Sequence, residues 1–222
     1  MPTLPRPFIE AYVETVAQAA AAERAGADRL ELCGPGEGGL TPSDATVAAV
    51  VQGTDVPVHA MLRPRAGDFT YDADEFAQML RDIPRLRACG ATGVVFGVLQ
   101  LDRRLDVERM RALVTAAEGL RTVCHRAFDL TPDPDEALEQ LVTLGIHEVL
   151  TSGQAADASA GVPVLRRLHA RADGRIDVLI GGGVRAHNVA RIIAQTGVPR
   201  VHARAVDAGV IAEMRAAVQR LR

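Results

Sequence analysis

Hydrophobic positions along the chain gather into short runs, separated by longer stretches in which apolar and charged residues alternate with a helical period. The runs cover residues 8–13, 28–32, 56–62, 93–98, 122–125, 148–150, 176–180 and 200–203. Their length and β-branched content predict eight strands, and the Ala-, Leu-, Arg- and Glu-rich stretches between them predict amphipathic helices. Gly26, Gly90, Gly145 and Gly197 each end a helical stretch just before an apolar run, where a capping glycine and a tight turn belong. Prolines in Thr41-Pro42-Ser43 and Thr131-Pro132-Asp133-Pro134 stand where helices open, and there a missing amide donor costs little.

Strict alternation of strands and helices demands parallel strands with right-handed crossovers, in an open doubly wound sheet or a closed barrel. Eight units of even length with no linker-like segment favour the closed form. The expected fold is therefore a single (β/α)8 TIM-barrel domain over residues 1–222, with function on the loops that follow the strands.

Composition changes this picture little. Hydrophobic residues make up 48% of the chain and aromatics 3%, with no Trp, so the core is built mainly from Ala, Val, Leu and Ile. The net charge of −3 is spread along the chain without a basic patch, which argues against nucleic acid or a membrane surface as partner. Cys33, Cys89 and Cys124 are widely spaced and odd in number, with no CxxC, so neither a disulfide framework nor a zinc knuckle is indicated. With no leader-like or membrane-spanning run, the expected compartment is a reducing cytoplasm.

Unusual polar residues do cluster after the apolar runs. The first strand brings Glu10 and Glu14, the second Glu31 and Cys33, and the third His59, Met61, Arg63 and Arg65. The fifth ends in Cys124, His125, Arg126 and Asp129, the seventh in Gly181, Gly182 and Gly183, and the eighth contains His202. Residues two apart share a face of a strand, so Glu31 goes with Cys33, and His59 with Met61 and Arg63. His125 and Cys124 have opposite parity, and His125 is expected inside. Each carboxylate could instead pair with Arg63, but ionisable residues converging from five strands point to a site. As a catalytic set, Glu10, Glu31, His59, Arg63 and His125 offer a basic carboxylate, an imidazole proton carrier and a cation for an anionic substrate. Arg65, Arg126 and His202 extend the anion-binding candidates. Gly181, Gly182 and Gly183 form either an amide cradle for an anion or a tight turn without a ligand. The glycine-rich residues 34–39 lack the GxGxxG spacing and read as a shaped loop or lid.

In order along the chain, "FIEAYVE", "GADRLELC", "EGGLTPS", "VHAMLRPRAGDF", "GVVFGVL", "CHRAFD", "VLTSG", "GGGVR" and "VHA" resemble the CutC family of proteins named for copper homeostasis. The resemblance implies a (β/α)8 barrel, cytoplasmic residence, an oligomer and an association with copper tolerance. Two places depart from the family pattern. "CGPGEGGLTPS" is shorter and richer in glycine than the family's "CDNLAEGGLTPS", and "VHARA" stands where the family reads like "FHGSA". The small polar residue expected in the last loop is absent, which counts against phosphate. Copper(I) prefers soft ligands close together, and Cys33 with Met61 on the neighbouring strand is the pair that could supply them. Two functions follow: a copper-homeostasis protein binding copper(I) weakly, or an isomerase, lyase or hydrolase acting on a small anionic or phosphorylated metabolite. The outer helices are compatible with a homodimer.

Overall fold

The computed structural model describes residues 6–205 and 209–219, so residues 1–5, 206–208 and 220–222 of the expected domain lie outside the described residues. The strands are β1 Phe8–Val13, β2 Arg29–Leu32, β3 Val58–Met61, β4 Gly93–Phe96, β5 Arg121–Cys124, β6 Glu148–Thr151, β7 Asp177–Ile180 and β8 Arg200–Arg204. Between and after them come α1 Val16–Arg24, α2 Asp44–Gln52, α3 Ala73–Ala88, α4 Val107–Ala116, α5 Pro134–Leu144, α6 Val162–Ala172, α7 Val189–Thr196 and α8 Gly209–Gln219. Each strand pairs in parallel with the next, and β8 pairs with β1, so the sheet closes into the expected (β/α)8 barrel.

Local chemistry sets the element ends. Thr15, Ser43 and Asp72 accept hydrogen bonds from the first-turn amides of α1, α2 and α3. Pro134 opens α5 under an Asp133 cap, and Gly145 and Gly197 end α5 and α7 in the left-handed conformation. Where the apolar run is longer than the strand, another bond competes for the backbone. Pro57 has no amide to give and the Val56 amide goes to the Glu23 carboxylate, so β3 begins at Val58. At the end of β5, His125 leaves the sheet to cap a short 3-10 helix, Arg126–Leu130.

Alternation along the strands produces two apolar layers. Ile9, Leu30, Val94, Phe96, Cys124 and Val149 face outward and pack under the helices, all fully buried. Tyr12, Cys33, Met61, Val95, Val123, Leu150 and Leu179 face inward as a separate cluster. At about 25 cal/mol per Å² of apolar surface removed from water, the outer layer is the main source of stability. The inner layer is thin because polar side chains fill the barrel above and below it.

Candidate active site

A chain of charged groups runs through the barrel from its base toward its mouth. At the base, Arg200 donates to Glu148 at 2.6 Å, and Arg29 donates to both Glu148 and Glu10, the latter at 2.5 Å. Arg29, Glu10 and Glu148 are at most 3% exposed, so each charge depends on its partners. The other oxygen of Glu10 lies 2.8 Å from His202 Nδ1, and His202 Nε2 lies 3.7 Å from Glu31. β1 sits between β2 and β8, and the register places Glu10 beside both Arg29 and His202.

These contacts drive the two carboxyls apart. Burial opposes the charge of Glu10, but Arg29 and His202 outweigh it and hold this carboxyl well below the usual range. Burial also raises Glu31, and the negative charge of Glu10 adds to it against the pull of His202, so Glu31 is pushed up to about 7. His202 is itself raised: burial disfavours its charge, but Glu31 and Glu10 favour it more strongly. One carboxylate is thus permanently charged, while its neighbour can take or release a proton near neutrality.

Above Glu31 opens a cavity of about 340 Å³, whose walls include Tyr12, Glu31, Met61, Arg63, Phe69, His125, Arg126, Leu150 and His202. Arg63 is 5% exposed and has no ion pair among the described residues. Its Nη atoms donate to the carbonyls of Glu37 and Gly67, its guanidinium lies 4.8 Å from the centre of the Phe69 ring, and its Nε has no partner. A buried cation without a counter-ion is costly, and an anionic ligand would relieve that cost. His125 Nδ1 accepts from the Ala127 amide, which in the neutral ring puts the proton on Nε2, and Nε2 is buried without a partner. Burial, reinforced by Arg63, lowers His125 to about 3, so the ring is a neutral donor at pH 7.

Of the residues expected at the site, the structure brings Glu31, Arg63, His125, Arg126, His202 and Met61 to the cavity wall. Glu10 lies beneath it and acts on it through His202. His59 is 2% exposed inside the barrel, does not line the cavity, and is lowered to about 3 by burial and then by Arg29. The alternative in which Glu10 or Glu31 pairs with Arg63 does not hold, because their partners are Arg29 and His202. Arg65 also stands apart. It bonds Glu75 at 2.6 Å, Asp68 at 2.8 Å and the Thr70 carbonyl, and so organises its own loop. Gly181, Gly182 and Gly183 do not line the cavity. A Cβ on Gly182 would lie 2.9 Å from that of Ser152, so close packing of the β6 and β7 loops accounts for this glycine.

Sequence reasoning missed Arg29 and Glu148 in the base network, although Arg29 shares the parity of Glu31 and Cys33. It also missed the role of Asp129, which accepts from Arg126 at 2.7 Å, from Thr151 Oγ1 at 2.5 Å and from the Ser152 amide and hydroxyl. Asp129 thereby fastens the loop after β5 to the end of β6.

Soft-metal chemistry fits the donors poorly. Cys33 is fully buried in the inner apolar layer beside Met61 and does not line the cavity. Its thiol is pushed well above the ordinary range, first by burial and then by Glu31, whereas copper(I) binds the thiolate. Glu10, Glu31 and His202 offer ligand atoms within 4.8 Å of one another, but Arg29 and the Glu10–His202 bond already engage the oxygens of Glu10.

Fold and site together define a (β/α)8-barrel protein with a titratable, ligand-sized mouth at the C-terminal ends of its strands. The sequence profile of the CutC family matches residues 8–207. A Mesorhizobium japonicum protein named family protein CutC is 47% identical over 197 residues, spanning 88% of this chain and 76% of that protein. A protein of the same name from Glaesserella parasuis is 45% identical over 195 residues, spanning 87% and 80%. The crystal structure of a candidate copper homeostasis protein CutC from Streptococcus agalactiae superposes with a TM-score of 0.84 at 31% identity, covering 88% of this chain and 97% of that one. The chain belongs to the CutC family. Among the described residues no helix is long and apolar enough to cross a membrane.

Proposed function

We propose that the protein serves in copper homeostasis, as the name of the Streptococcus agalactiae relative suggests, and that its own contribution is made in the barrel mouth. There it binds a small anionic molecule and exchanges a proton with it. The observation that carries this reading is Arg63, a buried cation on the cavity wall with no ion pair among the described residues. Glu31, close to neutral pH in its titration, is the proton acceptor, and His125 the neutral donor. A cytoplasmic location fits the free thiols of Cys33, Cys89 and Cys124. Direct carriage of copper(I) by Cys33 and Met61 is the weaker reading, because the thiol is held protonated under its loop.

A thermal-shift screen of small carboxylates and phosphate esters tests the proposal. Stabilisation of the wild type by an anion, lost in Arg63→Met, is expected, the Met stem preserving contact with Phe69. Absence of any stabilising anion, or stabilisation unchanged in the variant, would overturn it. In competition with a chromogenic copper(I) chelator, wild type and Cys33→Ala are expected to behave alike. A tight site lost on substitution would restore the copper reading.

A further inference from the structure

We infer that the barrel mouth is built for a small 2-oxo monocarboxylic acid, and that it moves a proton at the carbon next to the carbonyl. This inference rests on the anion-binding reading above and names its substrate class and reaction.

Of the six buried side-chain polar atoms without a partner among the described residues, three belong to residues that line this cavity: Arg63 Nε, His125 Nε2 and Glu31 Oε1. Native structures rarely leave such atoms unsatisfied, and three on residues that share one cavity describe what a ligand would bring as these side chains turn to meet it. Arg63 calls for an anion, His125 for a hydrogen-bond acceptor such as a carbonyl oxygen, and Glu31 for a proton. Charge favours a monoanion over a phosphate dianion. The other arginine on the wall, Arg126, is already paired with Asp129, His202 is engaged by Glu10 and faces Glu31, and the glycine triplet offers no cradle in the cavity. Tyr12, Met61, Phe69 and Leu150 leave an apolar wall for a short hydrocarbon tail.

The step needs no further reactant. Arg63 holds the carboxylate, and His125 Nε2–H donates to the ketone oxygen. Ionised Glu31 takes the proton from the adjacent carbon. The C–H electron pair becomes the new C=C bond, and the carbonyl π pair moves to oxygen, where the His125 donor stabilises the enolate. The proton on Glu31 then returns to carbon, or exchanges with solvent first. His202, bonded to Glu10 and facing Glu31, positions this carboxyl and favours its charged form.

Deuterium exchange tests the step. The protein is incubated with 2-oxobutanoate in deuterated buffer, and loss of the C3 proton signal is followed by NMR against buffer alone. Exchange above the buffer rate is expected, falling about a hundredfold in Glu31→Gln while thermal stabilisation by 2-oxobutanoate persists. His125→Asn is expected to fall likewise, since Asn can still accept from the Ala127 amide but loses the Nε2 donor. Stabilisation by 2-oxobutanoate with exchange no faster than buffer would overturn this inference and leave the proposed function standing. Exchange unchanged in both variants would also overturn it, whereas failure of every small anion to stabilise the protein would remove both.

Discussion

At His125 the backbone decides what the ring can do. The Ala127 amide occupies Nδ1, burial denies the ring its charge, and Arg63 nearby adds to the denial. In the unfolded chain this imidazole takes up a proton near 6.5, whereas in the folded protein it does so only near 3. Its contribution to stability is therefore complete above about pH 6.5 and is lost as the pH falls toward 3. Between pH 7 and pH 5 that loss amounts to about 2 kcal/mol. Urea unfolding at both pH values should show a smaller acid-induced loss for His125→Asn than for wild type, by roughly that amount. An equal loss would mean that the folded ring is protonated. Glu31 works in the opposite sense, since its folded value lies above the ordinary 4.5 and its contribution fades as the pH rises through about 7. Subtracting variant from wild type removes its part.

At the scale of elements, the loop between β2 and α2 carries the most specific geometry. Gly34 and Leu40 pinch it shut, and Gly38 crosses Arg63 with a φ of +74°. A Cβ there would lie 2.4 Å from Arg63 Nη1. Gly38→Ala should therefore cost about 1 kcal/mol in backbone strain while displacing the guanidinium. Isothermal titration with a stabilising anion is expected to show at least a tenfold loss of affinity, and unchanged affinity would show that Arg63 does not hold the anion.

The elements themselves were largely legible in the sequence. Apolar runs bounded by glycines located all the strands to within about two residues, and parity set His125 and Cys124 on opposite faces of β5. Residues 34–39 could be read as a shaped loop because glycines dominate them. That the loop covers Arg63 was not readable, since it depends on how β2 and β3 are set side by side. Arg65 misled for the same reason: its partners Asp68 and Glu75 lie in the following loop and helix, and spacing alone did not reveal that they bind it.

Across the whole molecule, the base network joins β2 to β6 through Arg29 and Glu148, which are 119 positions apart in the chain. No local pattern marks that pairing. An interior filled by branched apolar residues is the usual expectation for this fold, so a buried ion cluster emerges only once the barrel is closed. Removing one member leaves the others uncompensated. Arg29→Met, which strands Glu10 and Glu148 together, is expected to cost about 3–5 kcal/mol in urea unfolding. A loss below about 1 kcal/mol would show that water already reaches the base.

That base also governs traffic. With Arg29, Glu10 and Glu148 sealed from solvent, the mouth offers the way in and also the way out. On the proposed reaction, a departing molecule uses the entrance by which the next arrives, so added product is expected to slow turnover as a simple competitor, which initial rates at rising product concentration would check.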